Sequence, residues 1–339
     1  MRQQVKKIAL GLQGGGSHGA FTWGVLDALL EDTRIEIIGI SGTSAGGMNA
    51  AALLQGYNKN GREGARAEMR RFWKLLSART NLNPFKTNLI QMFTGNHSLR
   101  GSPSYAWMNM LRETYSPYDL NPMDINPLRD LVHDFFDCSL LHQPSKLKLF
   151  LCATHVKSGK LHIFKGKKIT EEALLASACL PNIFKAVEID GEHYWDGGYV
   201  GNPALFPLIY NCPTKDIAII QLMTSFREDL PKQKEAICDR HKEITYNACL
   251  LREIRAIHLI STLVERKVIT DKSFKNIHLH LIRNNELFKN LDLSTTMNTE
   301  WSFIEYLFEA GYTSGKSWLM ENYDRIGVSS SADIERDFI

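Results

Sequence analysis

The stretch IEIIGISGTSAGGMNAAALLQ, residues 35–55, joins a β-branched run to an Ala-rich run through a turn of small residues. Residues 35–40 predict a buried strand and residues 45–55 predict a helix. Between them, Gly42 and Gly46 flank Ser44 in a G-x-S-x-G pattern, which holds a serine on a sharp strand-to-helix turn. The pattern predicts that Ser44 is a nucleophile, with its oxygen exposed beside the positive N-terminus of a helix.

A second strand–turn–helix unit precedes the serine turn. Residues 7–12 predict a short buried strand, and a helical pattern runs from about His18 to Leu30. The glycine-rich loop Gly14-Gly15-Gly16-Ser17-His18-Gly19 lies between them. Two such units in the first 55 residues indicate a parallel α/β sheet. An amphipathic helix is predicted next, over residues 65–77.

The glycine loop allows two interpretations. It fits G-x-G-x-x-G, the dinucleotide-binding fingerprint, and it also fits an oxyanion hole made by the backbone N–H groups of Gly14, Gly15 and Gly16. Dinucleotide binding needs a carboxylate near the end of the second strand, but Glu36 lies at its beginning. Because adjacent parallel strands end at the same sheet edge, the glycines should lie beside Ser44. The oxyanion hole is favoured, and a nucleotide-binding module is the alternative.

A serine hydroxyl needs a base, and Asp196 is the best candidate. It follows the β-like run 193–195 and precedes Gly197-Gly198, which permit a tight turn at a strand end. A desolvated carboxylate can accept the serine proton directly. A plain Asp-Gly hairpin turn and a Ser–Asp–His triad are the alternatives. The late histidines do not lie in Gly-flanked loops that would suit a triad; they are His241, His258, His278 and His280.

Residues 79–142 differ in character from the rest. Asn, Pro, Gly and Ser breakers alternate there with aromatic residues, namely Phe85, Phe93, Tyr105, Trp107, Tyr115 and Tyr118. The segment predicts either an insertion of loops and short helices that forms a lid over the site, or a helical part of the core. Residues 211–325 predict further strands and helices, including a helix over 244–269. Without a linker or repeat, residues 1–339 are expected to form a single domain.

The composition and charge of the chain restrict the classes of function that it can have. The chain has 339 residues, 44% of them hydrophobic, and a net charge of +3, which does not suggest nucleic-acid binding. Six cysteines without a C-x-x-C pair give no zinc or redox motif. The apolar run 8–12 is too short for a signal peptide, and about 20 consecutive apolar residues, as a membrane span needs, are not present. We expect a cytoplasmic protein, peripheral to membranes; secretion without a cleaved signal is the alternative.

Four features in this order resemble the patatin-like phospholipase family, bacterial branch, over about residues 5–210. They are the glycine loop, the Ser44 turn, the segment Ala176-Ser177-Ala178-Cys179-Leu180-Pro181, and Asp196-Gly197-Gly198 followed by Asn202-Pro203. The chain departs from the family at Ser17-His18, where many members carry Arg or Lys after the glycines.

The resemblance implies a three-layer α/β/α sandwich with a mainly parallel central sheet. It also implies a Ser44–Asp196 dyad without histidine, and an oxyanion hole formed by the backbone of Gly14, Gly15 and Gly16. The implied activity is calcium-independent hydrolysis of acyl esters in phospholipids, lysophospholipids or glycerides, with no metal or cofactor. The implied partner is a lipid or membrane-surface substrate. An acyltransferase or thioesterase would use the same dyad, because the dyad does not specify the acyl acceptor.

Overall fold

The first 80 residues form the centre of the fold. In a computed structural model, which describes residues 5–80 and 97–338, the first strand lies within the sheet and is covered on both faces. Side chains therefore alternate between two buried environments, and Ile8 and Ala9 are both fully buried. The elements are β1 (Lys6–Leu12), a 3₁₀ turn (Gly16–His18), α1 (Gly19–Glu31), β2 (Ile35–Thr43) and α2 (Ala45–Thr80).

Helix α2 contains both of the helices that the sequence predicts between residues 45 and 77. Helical backbone angles are lost at Asn60 (φ −154°, ψ 41°) and at Gly61 (φ +57°, ψ −144°). A φ of +57° is strained for residues with a side chain and is unstrained for glycine. The two predicted helices therefore meet at a break that Gly61 permits.

The segment predicted as a lid or as a helical part of the core consists, from residue 97 on, of short helices. Phe85 and Phe93 lie outside the described residues. None of the side chains of the first two helices is buried, whereas the third buries Leu131, Val132 and Phe135. The first two of these helices therefore lie on the surface, and the third contributes to the core. The helices are α3 (Pro103–Thr114), α4 (Pro117–Leu120), α5 (Pro127–Phe135) and α6 (Cys138–Leu141).

The rest of the chain completes the sheet and its helical layers. Its strands are β3 (Lys148–His155), β4 (Lys160–Lys165), β5 (Val187–Ile189), β6 (Glu192–Asp196), β7 (Asp216–Ile220) and β8 (His278–Ile282). Its helices are α7 (Glu171–Ser177), α8 (Phe206–Asn211), α9 (Lys234–Glu265), α10 (Asn285–Lys289), α11 (Trp301–Asn322) and α12 (Ile334–Phe338). Short 3₁₀ turns cover Gly166–Lys168, Gly197–Tyr199, Leu293–Met297 and Tyr323–Arg325.

Helix α9 begins well before Ile244, where the sequence predicts its start. One of the charged residues at its beginning is buried. Glu243 is 3% exposed and pairs with Arg227 and with Arg240. These ion pairs satisfy the buried carboxylate and allow the helix to extend across a charged run.

The sheet has the order β5-β6-β3-β2-β1-β7-β8, and β4 pairs with the other edge of β3. The pairs β1–β2, β1–β7, β2–β3 and β7–β8 are parallel. The pairs β3–β4, β3–β6 and β5–β6 are antiparallel. Because β1 and β2 are parallel neighbours, the glycine loop and the serine turn follow them at the same edge of the sheet.

Helices cover both faces of this sheet, which confirms the three-layer α/β/α sandwich. On one face, Ile8, Leu10 and Ile40 belong to a large core that includes residues of α1, α2 and α11. On the other face, Ala9 and Ile217 pack in a second core with residues of α8 and α9. Within the described residues, the structure has no helix with both the length and the apolar character needed to cross a membrane.

Helices α1 and α11 cross at glycines. A methyl group on Gly24 would lie 2.0 Å from the carbonyl oxygen of Phe308, and one on Gly311 would lie 2.0 Å from that of Phe21. Real Cβ atoms do not approach other atoms this closely, so the two backbones can touch here only because both residues lack a side chain. This close crossing fixes α11 against the helix that follows the glycine loop.

We expect Gly311→Ala to lower the free energy of unfolding by about 2 kcal/mol or more, because the new methyl group forces the two helices apart. Without that contact the substitution would stabilise the helix by up to about 1 kcal/mol, since Ala is the better helix former. Urea denaturation of the variant measures the sign. Ser317→Ala, at an exposed position of the same helix, is the matched control and should change stability little. A Gly311→Ala protein as stable as the wild type would contradict the close crossing.

Candidate active site

Ser44 lies on a strained turn between β2 and α2. Its φ is +54°, an uncommon value for a residue with a side chain. A methyl group on Gly46 would lie 2.4 Å from the carbonyl oxygen of Leu12, and one on Gly42 would lie 2.7 Å from the carbonyl group of Gly46. Both positions therefore require glycine, because neighbouring backbone atoms lie too close for a side chain. This is what the G-x-S-x-G pattern predicts.

Strand β3 brings Ser44 and Asp196 together. Strand β2 pairs with the first part of β3, where Thr43 lies opposite Cys152. Strand β6 pairs with the next part of the same edge, where Asp196 lies opposite Ala153. The last residue of β2 and the last residue of β6 are therefore opposite consecutive residues of β3. At this junction the Ser44 hydroxyl lies near the Asp196 carboxylate and acts to lower its pKa.

The Asp196 carboxylate is almost completely buried, with 1% of the residue exposed. Burial raises its pKa to about 6, although a hydrogen bond from the Gly198 N–H group and the nearby Ser44 hydroxyl oppose the shift. The Gly198 N–H group donates to Oδ1 at 2.7 Å, and the backbone N–H of Asp196 donates to the carbonyl oxygen of Cys179 at 2.8 Å. A carboxylate held in this way is ionised at neutral pH and is more basic than an exposed aspartate.

The glycine loop lies against Ser44. A methyl group on Gly14 would be 2.8 Å from Cβ of Ser44. The N–H group of Gly14, which the sequence predicts as an oxyanion-hole donor, donates instead to Oδ1 of Asn202 at 2.7 Å. Gly16 has a φ of +56° and touches the segment after α10, because a methyl group on it would lie 2.2 Å from the carbonyl oxygen of Thr296.

His18 is bound by residues other than Ser44 and Asp196. Its Nε2 is 2.7 Å from Oγ1 of Thr295, and its ring packs beside Phe288 with the ring centres 5.3 Å apart. Burial lowers the pKa of His18 to about 4, against an opposing effect of Asp292, so the ring is neutral at physiological pH. The position at which many family members carry Arg or Lys therefore supplies no positive charge in this chain.

Three buried amide side chains connect the loops of the site, and the sequence analysis assigns a role to none of them. Nε2 of Gln13 donates to Oδ1 of Asn247 at 3.1 Å and to the backbone oxygen of Asn202 at 3.3 Å. Oε1 of Gln13 accepts from the backbone N–H groups of Leu222 and Met223. The loops after β1, β6 and β7 are thus joined to α9. Asn202 is part of a quoted motif, whereas nothing in the sequence marks Gln13 or Asn247.

Ser177 and Tyr246 are two further residues of the site whose roles the sequence does not reveal. The Ser44 N–H group donates to Oγ of Ser177 at 3.0 Å, which supports the strained turn. Tyr246, on α9, packs so closely on Gly198 that a methyl group there would be 2.4 Å from Cε1 of the ring. The Tyr246 ring also packs beside that of Tyr199, with the ring centres 5.2 Å apart. Burial and then the charge of Asp196 raise the pKa of Tyr246.

The comparisons with known proteins concern this same part of the chain. The family model described as patatin-like phospholipase matches residues 10–209, which include the glycine loop and the turns of Ser44 and Asp196. No curated protein matches the chain. Tyr246 and Asn247 lie beyond the matched residues.

Two solved structures are similar to the chain at low identity. VipD from Legionella pneumophila is 15% identical with a TM-score of 0.42, over 95% of this chain and 67% of that chain. A chain of the complex of full-length SpcU with full-length ExoU, from the type III secretion system of Pseudomonas aeruginosa, is 14% identical with a TM-score of 0.25, over 99% of this chain and 73% of that chain. At these values neither similarity carries an argument about function.

The raised pKa of Asp196 predicts a cost to stability at neutral pH. In the unfolded chain the group titrates near 3.8, and in the folded protein near 6. The folded state therefore holds the proton more tightly, so this contribution to stability is complete below about pH 4 and is lost as the pH rises through 6. Asp196→Asn removes this titration. The free energy of unfolding of the variant, taken relative to that of the wild type, should therefore be higher at pH 8 than at pH 4 by roughly 3 kcal/mol.

Urea denaturation at the two pH values measures this difference. Asp216→Asn is a control for which the opposite change in stability is expected. Asp216 is also buried, but hydrogen bonds from His280 and from the Gly327 N–H group keep its pKa below the usual value in spite of burial. Its replacement should therefore destabilise the protein at pH 8. A pH-independent effect of Asp196→Asn would contradict the raised pKa.

Proposed function

The chain belongs to the patatin-like phospholipase family of lipid hydrolases, and from this we propose that it hydrolyses lipid acyl esters with Ser44 as the nucleophile and Asp196 as the base. The observation that carries the proposal is the position of the Ser44 hydroxyl beside a carboxylate that is 1% exposed and has a pKa of about 6. A base with this pKa is ionised at neutral pH and can still accept a proton from an attacking hydroxyl.

In the first half of the reaction, Oγ of Ser44 attacks the ester carbonyl carbon while its proton passes to Asp196. The carbonyl oxygen becomes an oxyanion next to the glycine loop. When the tetrahedral intermediate collapses, the bond to the alcohol or lysolipid breaks, and that leaving oxygen takes the proton from Asp196. An acyl-enzyme on Ser44 and an ionised Asp196 remain.

In the second half, Asp196 takes a proton from a water molecule, whose oxygen attacks the acyl carbon. The free fatty acid leaves, and the proton returns to Oγ of Ser44. Each half of the reaction thus begins and ends with an ionised carboxylate, and no other titratable residue is needed. Calcium has no role in these steps.

The oxyanion is proposed to bind to the N–H groups of Gly15 and Gly16. The Gly14 N–H group is already bound to Oδ1 of Asn202, at 2.7 Å, and is therefore assigned to holding the loop in place. Each donor to an oxyanion contributes about 3 kcal/mol to transition-state stabilisation in well-characterised hydrolases. Gly14 touches Ser44, so the two assigned donors follow that contact directly in the chain.

Ser44→Ala should abolish hydrolysis of a phosphatidylcholine substrate, with a loss of about a thousandfold or more, because the covalent step has no substitute nucleophile. A fluorophosphonate probe should label the wild-type protein and leave this variant unlabelled. Assays contain EDTA, since the mechanism assigns nothing to calcium. Far-UV circular dichroism and the melting temperature show whether the variant is folded. Labelling of a folded Ser44→Ala protein would reject Ser44 as the nucleophile.

The pKa of Asp196 predicts that kcat/KM rises with pH through about 6 and is level above it, because only the ionised carboxylate acts as the base. The groups that face it are Ser44, Cys179, Tyr199 and Tyr246. Tyr246→Ala should admit water above Gly198 and lower the pKa, which moves this rise in kcat/KM to lower pH.

Tyr246→Phe is the matched control, because it retains the ring over Gly198 and removes the hydroxyl. Its profile should stay close to that of the wild type. If Tyr246→Ala reduces the rate equally at every pH, then the ring does not exclude water from Asp196, and its effect is on folding alone.

A further inference from the structure

The side chain of Gln13, the last residue before the glycine loop, uses its full hydrogen-bonding capacity. Its Nε2 donates to Oδ1 of Asn247 at 3.1 Å and to the backbone oxygen of Asn202 at 3.3 Å. Its Oε1 accepts from the backbone N–H groups of Leu222 at 2.8 Å and Met223 at 3.1 Å. A carboxamide has two donors and two acceptor lone pairs, so this fully buried side chain has a partner for each. An apolar side chain of the same size would leave all four partners without their bond.

Gln13 and Asn202 form a closed hydrogen-bonded ring with Gly14. The Gln13 side chain donates to the backbone oxygen of Asn202, and the Asn202 side chain accepts from the N–H group of Gly14 at 2.7 Å. Because Gly14 directly follows Gln13, both bonds act on the one peptide unit that joins them. Asn202 is also fully buried, so water does not compete for these bonds. The ring therefore sets the direction of this peptide unit.

The opposite side of the same peptide unit faces the serine turn. A methyl group on Gly46 would lie 2.7 Å from the carbonyl oxygen of Gln13. In a trans peptide the N–H and C=O groups point in opposite directions, so Asn202 holds one side of the unit and Gly46 bounds the other. Rotation of the unit would break the bond to Asn202 and would move the carbonyl oxygen against the serine turn.

The proposed oxyanion donors, the N–H groups of Gly15 and Gly16, come directly after this peptide unit. A methyl group on Gly15 would lie 3.2 Å from Cδ1 of Leu222, whose N–H group binds Gln13. A methyl group on Gly16 would overlap the carbonyl oxygen of Thr296. The loop is thus held before and after the two donors, and the hold before them depends on Gln13.

Helix α9 supports the ring from outside the residues that match the family model. Oδ1 of Asn247 accepts from Gln13, and Nδ2 of Asn247 donates to the carbonyl oxygen of Thr224 at 3.2 Å. Backbone groups determine which end of each amide is the oxygen, since the N–H of Leu222 needs an acceptor and the carbonyl of Thr224 needs a donor. Asn247 is 3% exposed. The position of α9 is therefore linked to that of the glycine loop through one buried amide pair.

We propose that Gln13 is a positioning residue for the oxyanion hole, and that Asn202 and Asn247 hold it in this role. Its carboxamide fixes the peptide unit before the loop, so that the N–H groups of Gly15 and Gly16 face the oxyanion formed during ester hydrolysis. The inference rests on the proposed function, which supplies the oxyanion. Because the charge develops only in the transition state, misdirected donors lower the rate of reaction more than the binding of substrate.

The experiment compares Gln13→Met with the wild type in two assays, hydrolysis of a soluble p-nitrophenyl ester and inhibition by an alkyl trifluoromethyl ketone. The ketone forms a tetrahedral adduct with a serine oxygen, so its inhibition constant reports on the oxyanion hole. The variant keeps the size of the side chain and opens the ring. We expect kcat to fall about a hundredfold with little change in KM, and the inhibition constant to rise by a similar factor.

Gln221→Met is the matched control. Gln221 directly follows β7 and is 3% exposed, and its Nε2 donates to Oγ of Ser225 at 2.9 Å, away from the ring. Its replacement should leave kcat and the inhibition constant close to the wild-type values. Asn247→Leu is a second test variant, because it removes the acceptor for Gln13 and leaves the ring residues unchanged. It should raise the inhibition constant, by less than Gln13→Met does.

The inhibition constant separates positioning from folding, because unfolded protein lowers the apparent kcat and leaves the inhibition constant unchanged. A lower kcat with a wild-type inhibition constant in Gln13→Met and Asn247→Leu would overturn the proposal, as would equal effects of Gln13→Met and Gln221→Met. Failure of the proposed function is distinguishable, because a fluorophosphonate probe would then leave the wild type unlabelled. Failure of this inference alone would appear as a labelled wild type whose inhibition does not depend on Gln13.

Discussion

One edge of strand β3 holds the site together. It pairs first with β2, in the parallel direction, and then with β6, in the antiparallel direction, so two strands end facing one another. The residue after the end of β2 is Ser44, and the last residue of β6 is Asp196. Backbone hydrogen bonds along β3 thereby fix the separation of two side chains that lie far apart in the chain. The strained turn at Ser44 and the buried turn after Asp196 both depend on this pairing.

The same arrangement explains why the core contains a buried carboxylate whose ionised form is unfavourable there. Burial of Asp196 destabilises the ionised form, and a hydrogen bond from Gly198 together with the nearby Ser44 hydroxyl offsets only part of that cost. The remainder appears as a raised pKa, which is the property that a general base requires. Tyr246 contributes by lying on Gly198 and closing the turn. Stability and reactivity are therefore opposed at this residue.

Elements from the second half of the chain complete a site whose motifs lie in the first 209 residues. Helix α9 supplies Tyr246 and Asn247, and the turn Leu293–Met297 covers the glycine loop and binds His18 through Thr295. Helix α3 is joined to this turn through Arg112 and Met297. The surroundings of Ser44 thus include segments that lie outside the motif-bearing part of the chain.

Much of the fold could be predicted from local pattern. The β-branched runs, the glycines at Gly42 and Gly46 and the position of Ser44 between a strand and a helix are all constrained by backbone sterics within a few residues, so the sequence alone determines them. Parallel strand–turn–helix units then imply that the glycine loop and the serine turn share a sheet edge. Only the tertiary structure determined the contacts between distant segments. The engagement of Gly14 by Asn202, the neutral state of His18, the closure by Tyr246 and the junction of β2 and β6 on β3 depend on burial and on strand register, and neither is encoded in the local spacing of residues.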